Sequence, residues 1–158
     1  YLGYRQTEIF DGRLLQKMFI PQKYQSSSLT PSASQSMVEK VLDYFEEHQP
    51  YLDNDLRLSA LAQQLDLSVH HLSQVINEQL GKSFPDFVNE YRVEAARKML
   101  ENPEYEQQYI INIAYDCGFN NKTSFNKAFK QHTGMAPSAY RSTAMAKAKK
   151  SLKKRESI

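Results

Sequence analysis

The segment from Gly118 to Gly134 reads GFNNKTSFNKAFKQHTG and sorts two kinds of side chain by helical spacing. Phenylalanines recur on one side of the predicted helix, and amides, hydroxyls and lysines occupy the other side. Asn and Lys can hydrogen-bond to base edges in a DNA groove, and Lys, Thr and Ser can bind phosphates. The segment is therefore predicted to bind another molecule through these polar side chains. Its polar side consists of Lys122, Thr123, Ser124, Asn126, Lys127 and Lys130.

An earlier stretch of the chain repeats the apolar pattern of this region. Leu61 matches Ile113 at an offset of 52 residues, whereas Leu72 matches Phe125 at an offset of 53. The later copy therefore has one extra residue between its two helices. The earlier copy presents hydrogen-bonding groups without a lysine or arginine. Its outward positions are His70, Ser73, Gln74 and Asn77.

The turn between the two helices is special in both copies. Asp66 stands where the second copy has Gly118, and both residue types tolerate a left-handed backbone. A helix-turn-helix needs such a turn because it must project its second helix from the surface. The sequence therefore predicts two helix-turn-helix units.

An all-α fold is predicted to position these segments, since glycine and proline are scarce and the apolar residues recur at helical spacing. Ser36 is predicted as the first N-cap, with Glu39 three residues on in the capping-box form. That helix ends before Pro50. The later helices are predicted over residues 58–66, 69–79, 84–101, 109–117 and 121–132, with a short one from Pro137 to about Arg141.

The long helix over residues 84–101 separates the two units. At 1.5 Å per residue it spans about 25 Å. Together with its flanking turns, that length can hold two recognition helices about 34 Å apart, which is one turn of B-DNA. A single chain could then read two consecutive major-groove segments.

Charge divides the chain into an acidic and a basic part. Residues 36–106 contain 6 Lys/Arg and 14 Asp/Glu, a net charge of −8. Residues 107–141 have a net charge of +3, and residues 142–158 have a net charge of +5. Residues 36–141 are predicted to form the domain, with first and second helix-turn-helix units over about 58–80 and 110–132. Residues 1–35 are a preceding segment with a Ser/Pro-rich linker, and residues 142–158 a basic tail, helical or disordered.

The chain resembles the DNA-binding module of the AraC/XylS family of bacterial transcription regulators. The resemblance covers about residues 36–141 and is carried by LSALAQQLDLSVHHLSQVINEQLGKSFPDFVNEYR and IAYDCGFNNKTSFNKAFKQHTGMAPSAYR. It implies a seven-helix module of two helix-turn-helix units joined by a long linker helix. Many members carry an arginine where this sequence has Gln74. Combined with the acidic first half, this departure predicts that the first unit binds weakly or depends on a second subunit.

The family's base-reading positions fall on residues of both predicted recognition helices. In the first they fall on His70, Ser73 and Gln74, to which the outward Asn77 is added here. In the second they fall on Lys122, Thr123, Ser124, Asn126 and Lys127. Phosphate contacts are assigned to Ser68, Lys130 and Arg141.

The expected partners are double-stranded DNA and RNA polymerase, with a homodimer forming through parts outside this chain. The segment YLGYRQTEIF resembles the stretch that follows a membrane-embedded sensor region in some AraC-like regulators. The alternative is an ordinary inter-domain segment. In either case we expect this domain to lie in the cytoplasm, and a single cysteine is consistent with a reducing compartment.

Three competing interpretations remain. Catalysis is disfavoured, because the four histidines are scattered, Cys117 occupies a core slot, and no phosphate loop appears. We expect no cofactor and no metal. A helical module that docks a protein through these same faces would need exposed apolar anchors. The polar faces could also be merely solvated, but two copies in register favour recognition.

Overall fold

The computed structural model describes residues 29–156, with side chains described as far as residue 151. Within that range the chain is all-helical, as predicted, and the predictions for residues 1–28 lie outside it. A 3-10 turn at Pro50–Leu52, a π-helical turn at Val75–Gln79 and a 3-10 turn at Pro103–Tyr105 accompany seven α-helices. These are α1 (Pro31–His48), α2 (Leu58–Gln64), α3 (Val69–Gln74), α4 (Phe84–Glu101), α5 (Ile110–Asp116), α6 (Lys122–Thr133) and α7 (Pro137–Glu156).

The N-cap of helix α1 lies six residues before the predicted one. Thr30 is its N-cap, and the Thr30 hydroxyl accepts a hydrogen bond from the backbone N–H of Ala33 at 3.2 Å. Pro31 follows at the first helical position, where its missing N–H costs nothing. The assignment of Ser36 as N-cap and of residues 31–35 as linker is therefore wrong. Ser34 is buried, so the added turn is also held by packing.

Helix α7 is much longer than predicted. The expectation of a short helix ending near Arg141 is wrong, because the helix continues to Glu156. Of the two alternatives for the tail, the helical one is confirmed as far as that residue. The sequence after Arg141 is rich in alanine and lysine, which have high helix propensity, and Met145 is buried.

The described helices belong to two compact units. The first contains residues 29–50 and 56–84, and the second contains residues 51–55 and 85–156. In the first unit, α1, α2 and α3 with its π-helical turn supply the buried apolar side chains. These are Val38, Val41, Leu42, Phe45, Leu61, Ala62, Leu65, Leu72, Val75 and Ile76.

The core of the second unit is built on α4, α5 and α6. Rings pack in sequence through it: Phe119 meets Phe125 edge-on at 5.1 Å, Phe125 lies 5.5 Å from Phe129, and Phe129 meets Tyr140 edge-on at 5.4 Å. These contacts seat α6 from its first turn to its last. The buried set is Val93, Ala96, Leu100, Ile113, Ala114, Cys117, Phe119, Phe125, Ala128 and Phe129.

The predicted turns are confirmed in both units. Asp66 has φ 51° and Gly118 has φ 88°, so both adopt the left-handed backbone that the helix-turn-helix needs. Helices α2 and α5 start 52 residues apart, and α3 and α6 start 53 residues apart. The extra turn residue of the second copy is therefore present in the structure.

Candidate nucleic-acid interface

Helix α3, the predicted first recognition helix, begins at a side-chain cap. The Ser68 hydroxyl accepts a hydrogen bond from the backbone N–H of His71 at 3.1 Å. His70 is exposed, and His71 beside it is half-buried. Ser68 was predicted as a phosphate contact, and its O–H can still donate while its oxygen caps the helix.

The other predicted base-reading side chains of α3 are bonded to their own neighbours. Gln74 Nε2 donates to the two carboxylate oxygens of Glu78 at 3.3 and 3.2 Å. Asn77 Nδ2 donates to Ser73 Oγ at 3.2 Å. Ser73 and Gln74 are half-buried, whereas Asn77 is exposed. The structure brings these residues together on one surface, with a carboxylate among them.

The second recognition helix, α6, has a different polar surface. Its N-cap is Asn121, whose side-chain oxygen accepts a hydrogen bond from the backbone N–H of Ser124 at 2.8 Å. Every polar residue predicted to read bases on this helix is exposed, as is Lys130. Among the residues that the structure describes, no hydrogen bond or ion pair involves the side chain of Asn126, Lys127 or Lys130.

Helix α6 also has the electrostatics of an anion-binding surface. It carries three lysines and no acidic residue. The positive end of its dipole lies at the N-terminus, beside Lys122 and Thr123. Its buried residues, Phe125, Ala128 and Phe129, lie on the opposite side. The polar side of the helix therefore takes no part in the packing that holds the helix in the core.

Arg92, which the sequence-based assignment missed, holds the turn of the second unit. Its Nε donates to the Tyr51 carbonyl oxygen at 2.7 Å, and its Nη2 donates to the Asp53 carbonyl oxygen at 2.7 Å. Its guanidinium carbon lies 5.8 Å from the centroid of the Phe119 ring. Burial lowers the pKa of Arg92, and Asp53 acts in the opposite direction.

Gly118 is required at this contact for two reasons. Its φ of 88° is strained for any side chain, and a Cβ there would lie 2.2 Å from the Tyr51 carbonyl oxygen. The segment 51–55, Arg92 and the turn therefore form one packed cluster that positions the start of α6. No local pattern in the sequence indicates this cluster, because its central hydrogen bond joins residues that are 41 positions apart.

Arg141, predicted as a phosphate contact, is half-buried and bonded internally. Its Nη1 donates to the carbonyl oxygens of Gln108 at 2.6 Å and Glu106 at 3.4 Å. The guanidinium thus ties α7 to the connection between α4 and α5. A phosphate contact would have to use its remaining N–H groups.

The described residues do not assemble a cluster of metal ligands. No cluster of three or more His, Cys, Asp or Glu side chains suited to a metal is found among them. Burial raises the pKa of the Cys117 thiol to about 12, with a further contribution from Asp116, so the thiol is protonated near neutral pH. Nor does any helix in the described part of the chain have the length and apolarity to cross a membrane.

Comparison with known proteins identifies similar domains. A family model described as a helix-turn-helix domain matches residues 61–143. An uncharacterized HTH-type transcriptional regulator of Staphylococcus aureus strain MSSA476 is 34% identical over 123 residues, covering 78% of this chain and 15% of the relative. The regulatory protein PocR of Salmonella typhimurium is 32% identical over 123 residues, covering 77% of this chain and 39% of PocR. The chain thus spans well under half the length of these relatives.

Solved structures show the same fold. The C-terminal domain of AraT, a response regulator from Geobacillus stearothermophilus, is 31% identical with a TM-score of 0.55, covering 74% of this chain and 88% of that one. An AraC-type DNA-binding domain protein from Chromobacterium violaceum has a TM-score of 0.59 at 19% identity, covering 72% of this chain and 96% of that one. At that identity the second likeness concerns the fold alone.

Proposed function

This chain belongs to the AraC-type helix-turn-helix family of DNA-binding domains, and from that premise we propose that it is the output domain of a transcriptional regulator. In this proposal α3 and α6 enter consecutive major-groove segments of one duplex. The family consists of DNA-binding domains rather than enzymes, and the chemistry required is recognition.

The observation that carries the proposal is the surface of α6. Its polar side chains are exposed, and Asn126, Lys127 and Lys130 have no bond to the described remainder of the chain. A side chain that is already unpaired loses no internal hydrogen bond when it binds a base or a phosphate. We assign base contacts to Lys122, Thr123, Ser124, Asn126 and Lys127, and a phosphate contact to Lys130.

The role proposed for α3 is weaker. Gln74 and Asn77 must leave Glu78 and Ser73 before they can hydrogen-bond to a base, and the Glu78 carboxylate repels nearby phosphates. We propose that His70, Ser73, Gln74 and Asn77 read their groove with little net gain in affinity. Ser68 and the remaining N–H groups of Arg141 are assigned to phosphates.

A further part of the proposal concerns regions and partners outside this chain. We propose that it acts in the cytoplasm on promoter DNA, where RNA polymerase is its partner. A homodimer formed through parts outside this chain would compensate for the weak first unit. A membrane sensor region preceding residue 1 is proposed as the source of the signal, and an ordinary inter-domain segment is the alternative.

Protein docking through the recognition helices is the competing function. Docking surfaces are anchored by large apolar or aromatic residues. The exposed large apolar residues of the described chain are Leu52, Val69, Tyr109 and Tyr115. Val69 is the first residue of α3, but none of the four lies on α6, so the polar surface of α6 fits nucleic acid better than a protein partner.

Selection of bound duplexes from a random DNA pool near physiological salt tests the proposal. We expect enrichment of two short boxes about one helical turn apart. Enrichment of one box alone would restrict base reading to one helix, and parallel selections with Asn126→Ala and Gln74→Ala would identify which. Binding without any enriched sequence would contradict sequence-specific regulation by this chain.

A further inference from the structure

The end of α7 lies outside the family's module. The family match ends at residue 143, and α7 continues to Glu156. Residues 144–156 contain six Lys/Arg and one Glu, a net charge of +5. The function proposed for α3 and α6 does not use this stretch, which we call the basic extension.

One side of α7 is attached to the second unit. Arg141 binds the Gln108 and Glu106 carbonyl oxygens, Met145 is buried, and Lys149 Nζ lies 2.8 Å from Glu106 Oε1. Arg141, Met145 and Lys149 are spaced by four residues, so they share one line along the helix. The direction of the extension is therefore set by side-chain contacts within the unit.

The opposite side of α7 carries exposed lysines. Lys147 and Lys150 are exposed and lie one turn apart. At 100° per residue, both point away from the line that contains Arg141. In the sequence, the next turn contains Lys153, Lys154 and Arg155. The anchored helix thus presents positive charge to solvent. Of the two lysines, Lys147 also lines a shallow pocket with Glu101, Met135 and Tyr140.

We propose that the basic extension is a second DNA contact, which binds phosphates without reading sequence. The inference rests on the function proposed above and adds a surface to it. Three residues separate the end of α6 from the start of α7, and α7 is about 30 Å long, so a duplex bound by α6 is within its reach. Lysines that neutralise phosphates release counterions and raise the affinity for every sequence alike.

The composition of the extension favours DNA over a membrane or a protein groove. A membrane-surface helix and a docking helix both need a continuous apolar face. After Met145 the extension contains one large apolar residue, Leu152. A polyanion requires only charge and spacing, both of which are present.

The test compares neighbouring lysines of the same helix. Lys147→Gln/Lys150→Gln removes two outward charges, and the single variants Lys150→Gln and Lys149→Gln form a matched pair, because Lys149 is on the attached side. The affinity of each variant is measured at several salt concentrations on a selected duplex and on its scrambled version. Circular dichroism verifies that helix content and Tm are retained.

We expect the slope of log affinity against log salt to become shallower by about 0.9 for each outward lysine removed, on both duplexes. Lys149→Gln should change the slope by less than half as much as Lys150→Gln. The preference for the selected duplex should be unchanged. An unaltered slope in the double variant would overturn the proposal, as would lysine-dependent binding to anionic lipid vesicles with an unaltered DNA slope. A failure of the proposed function itself would give a different result, because the wild-type chain would then bind the selected and the scrambled duplex with equal affinity.

Discussion

The two helix-turn-helix units have matching cores and different outer surfaces. Leu72 and Phe125 are both buried at equivalent positions, as are Ile76 and Phe129. Outside, α3 has its amides bonded to Glu78 and Ser73, whereas α6 has three lysines and an unbonded Asn126. Helix α3 also passes into a π-helical turn, while α6 is regular to its last residue.

This difference separates the requirements of folding from those of recognition. The buried positions and the left-handed turn are the same in both units because a tight helix pair allows few alternatives. The outer positions contribute little to stability, so they can diverge toward different tasks. We infer that the second unit supplies most of the affinity and the first mainly sets position.

The largest difference between the units should appear at their turns. Gly118→Ala combines left-handed strain of about 1–2 kcal/mol with overpacking of about 1–3 kcal/mol against the Tyr51 carbonyl. Asp66 already carries a Cβ at φ 51°, so Asp66→Ala adds neither this strain nor this clash and should cost under about 1 kcal/mol. Thermal unfolding followed by circular dichroism measures both. Equal losses of stability would mean that the contact with Tyr51 is unimportant.

The two recognition helices should differ in how much DNA affinity is lost when one amide side chain is removed. Asn126→Ala should weaken binding to the selected duplex by roughly 1–3 kcal/mol, and Lys127→Ala by a similar amount if it reads a base. Gln74→Ala should cost under about 0.5 kcal/mol, because its amide is already bonded to Glu78. Titrations on selected and scrambled duplexes distinguish the two roles. A uniform loss on both would identify the residue as a phosphate contact.

At the turn of the second unit, Arg92 donates hydrogen bonds to the Tyr51 and Asp53 carbonyl oxygens and holds the start of α6. Changing Arg92 should therefore loosen α6 without altering its polar surface. Arg92→Lys keeps the charge but cannot bind the Tyr51 and Asp53 carbonyls as a fork, so stability should fall by about 1–2 kcal/mol. Well below Tm, binding to the second box should weaken more than binding to the first. If both boxes weaken equally, Arg92 serves general stability and does not position α6.

The sequence was sufficient for the features that depend on local rules. The left-handed turns at Asp66 and Gly118, the matching buried positions of the two helix-turn-helix units and the seven helices follow from spacing and backbone preference. The N-cap assignment failed because Thr30 and Ser36 both precede good helix formers, and the burial of Ser34 favours the earlier start. That burial is a tertiary contact.

Two features of the interface show where sequence reasoning stops. The bond between Gln74 and Glu78 spans four residues on one helix, so it could have been predicted. The bond between Arg92 and the Tyr51 carbonyl joins residues 41 apart, and no local pattern indicates it. The sequence therefore predicts which residue types form an interface, but it does not predict the long-range contacts that position them.

The first unit should gain affinity when its carboxylate is removed. Glu78→Gln eliminates a negative charge near the expected phosphates and replaces the acceptor that binds the Gln74 amide. We expect binding to improve by about 1 kcal/mol, roughly fivefold, at low salt, and the gain to shrink as salt screens the charge. Asp43→Asn, an exposed acidic residue on α1, is the charge-matched control. An equal gain in that control would mean that the improved affinity comes from the change in net charge and not from the position of Glu78.

The smallest predicted difference is one of pH, and it lies in the cores. The slot of Leu65 in the first unit is occupied in the second by Cys117, whose pKa is raised from 9.0 to about 12, mainly by burial. The folded state therefore keeps a proton that the unfolded state releases above pH 9, so stability is intact below that pH and falls as pH rises further. By pH 9.5 the loss should be at most about 1 kcal/mol.

Cys117→Ala tests the origin of this loss. The variant has a lower stability at pH 7 because it leaves a small cavity, but its stability should change little between pH 8.5 and 9.5. The pKa values of Tyr51 and Tyr140 are also raised, each from 10.0 to about 12, so those residues contribute mainly above pH 10. Urea unfolding at pH 8.5 and 9.5 measures the difference for both proteins. If the variant loses as much stability as the wild type over this range, the alkaline sensitivity arises outside this slot, and the two cores are equivalent in their response to pH.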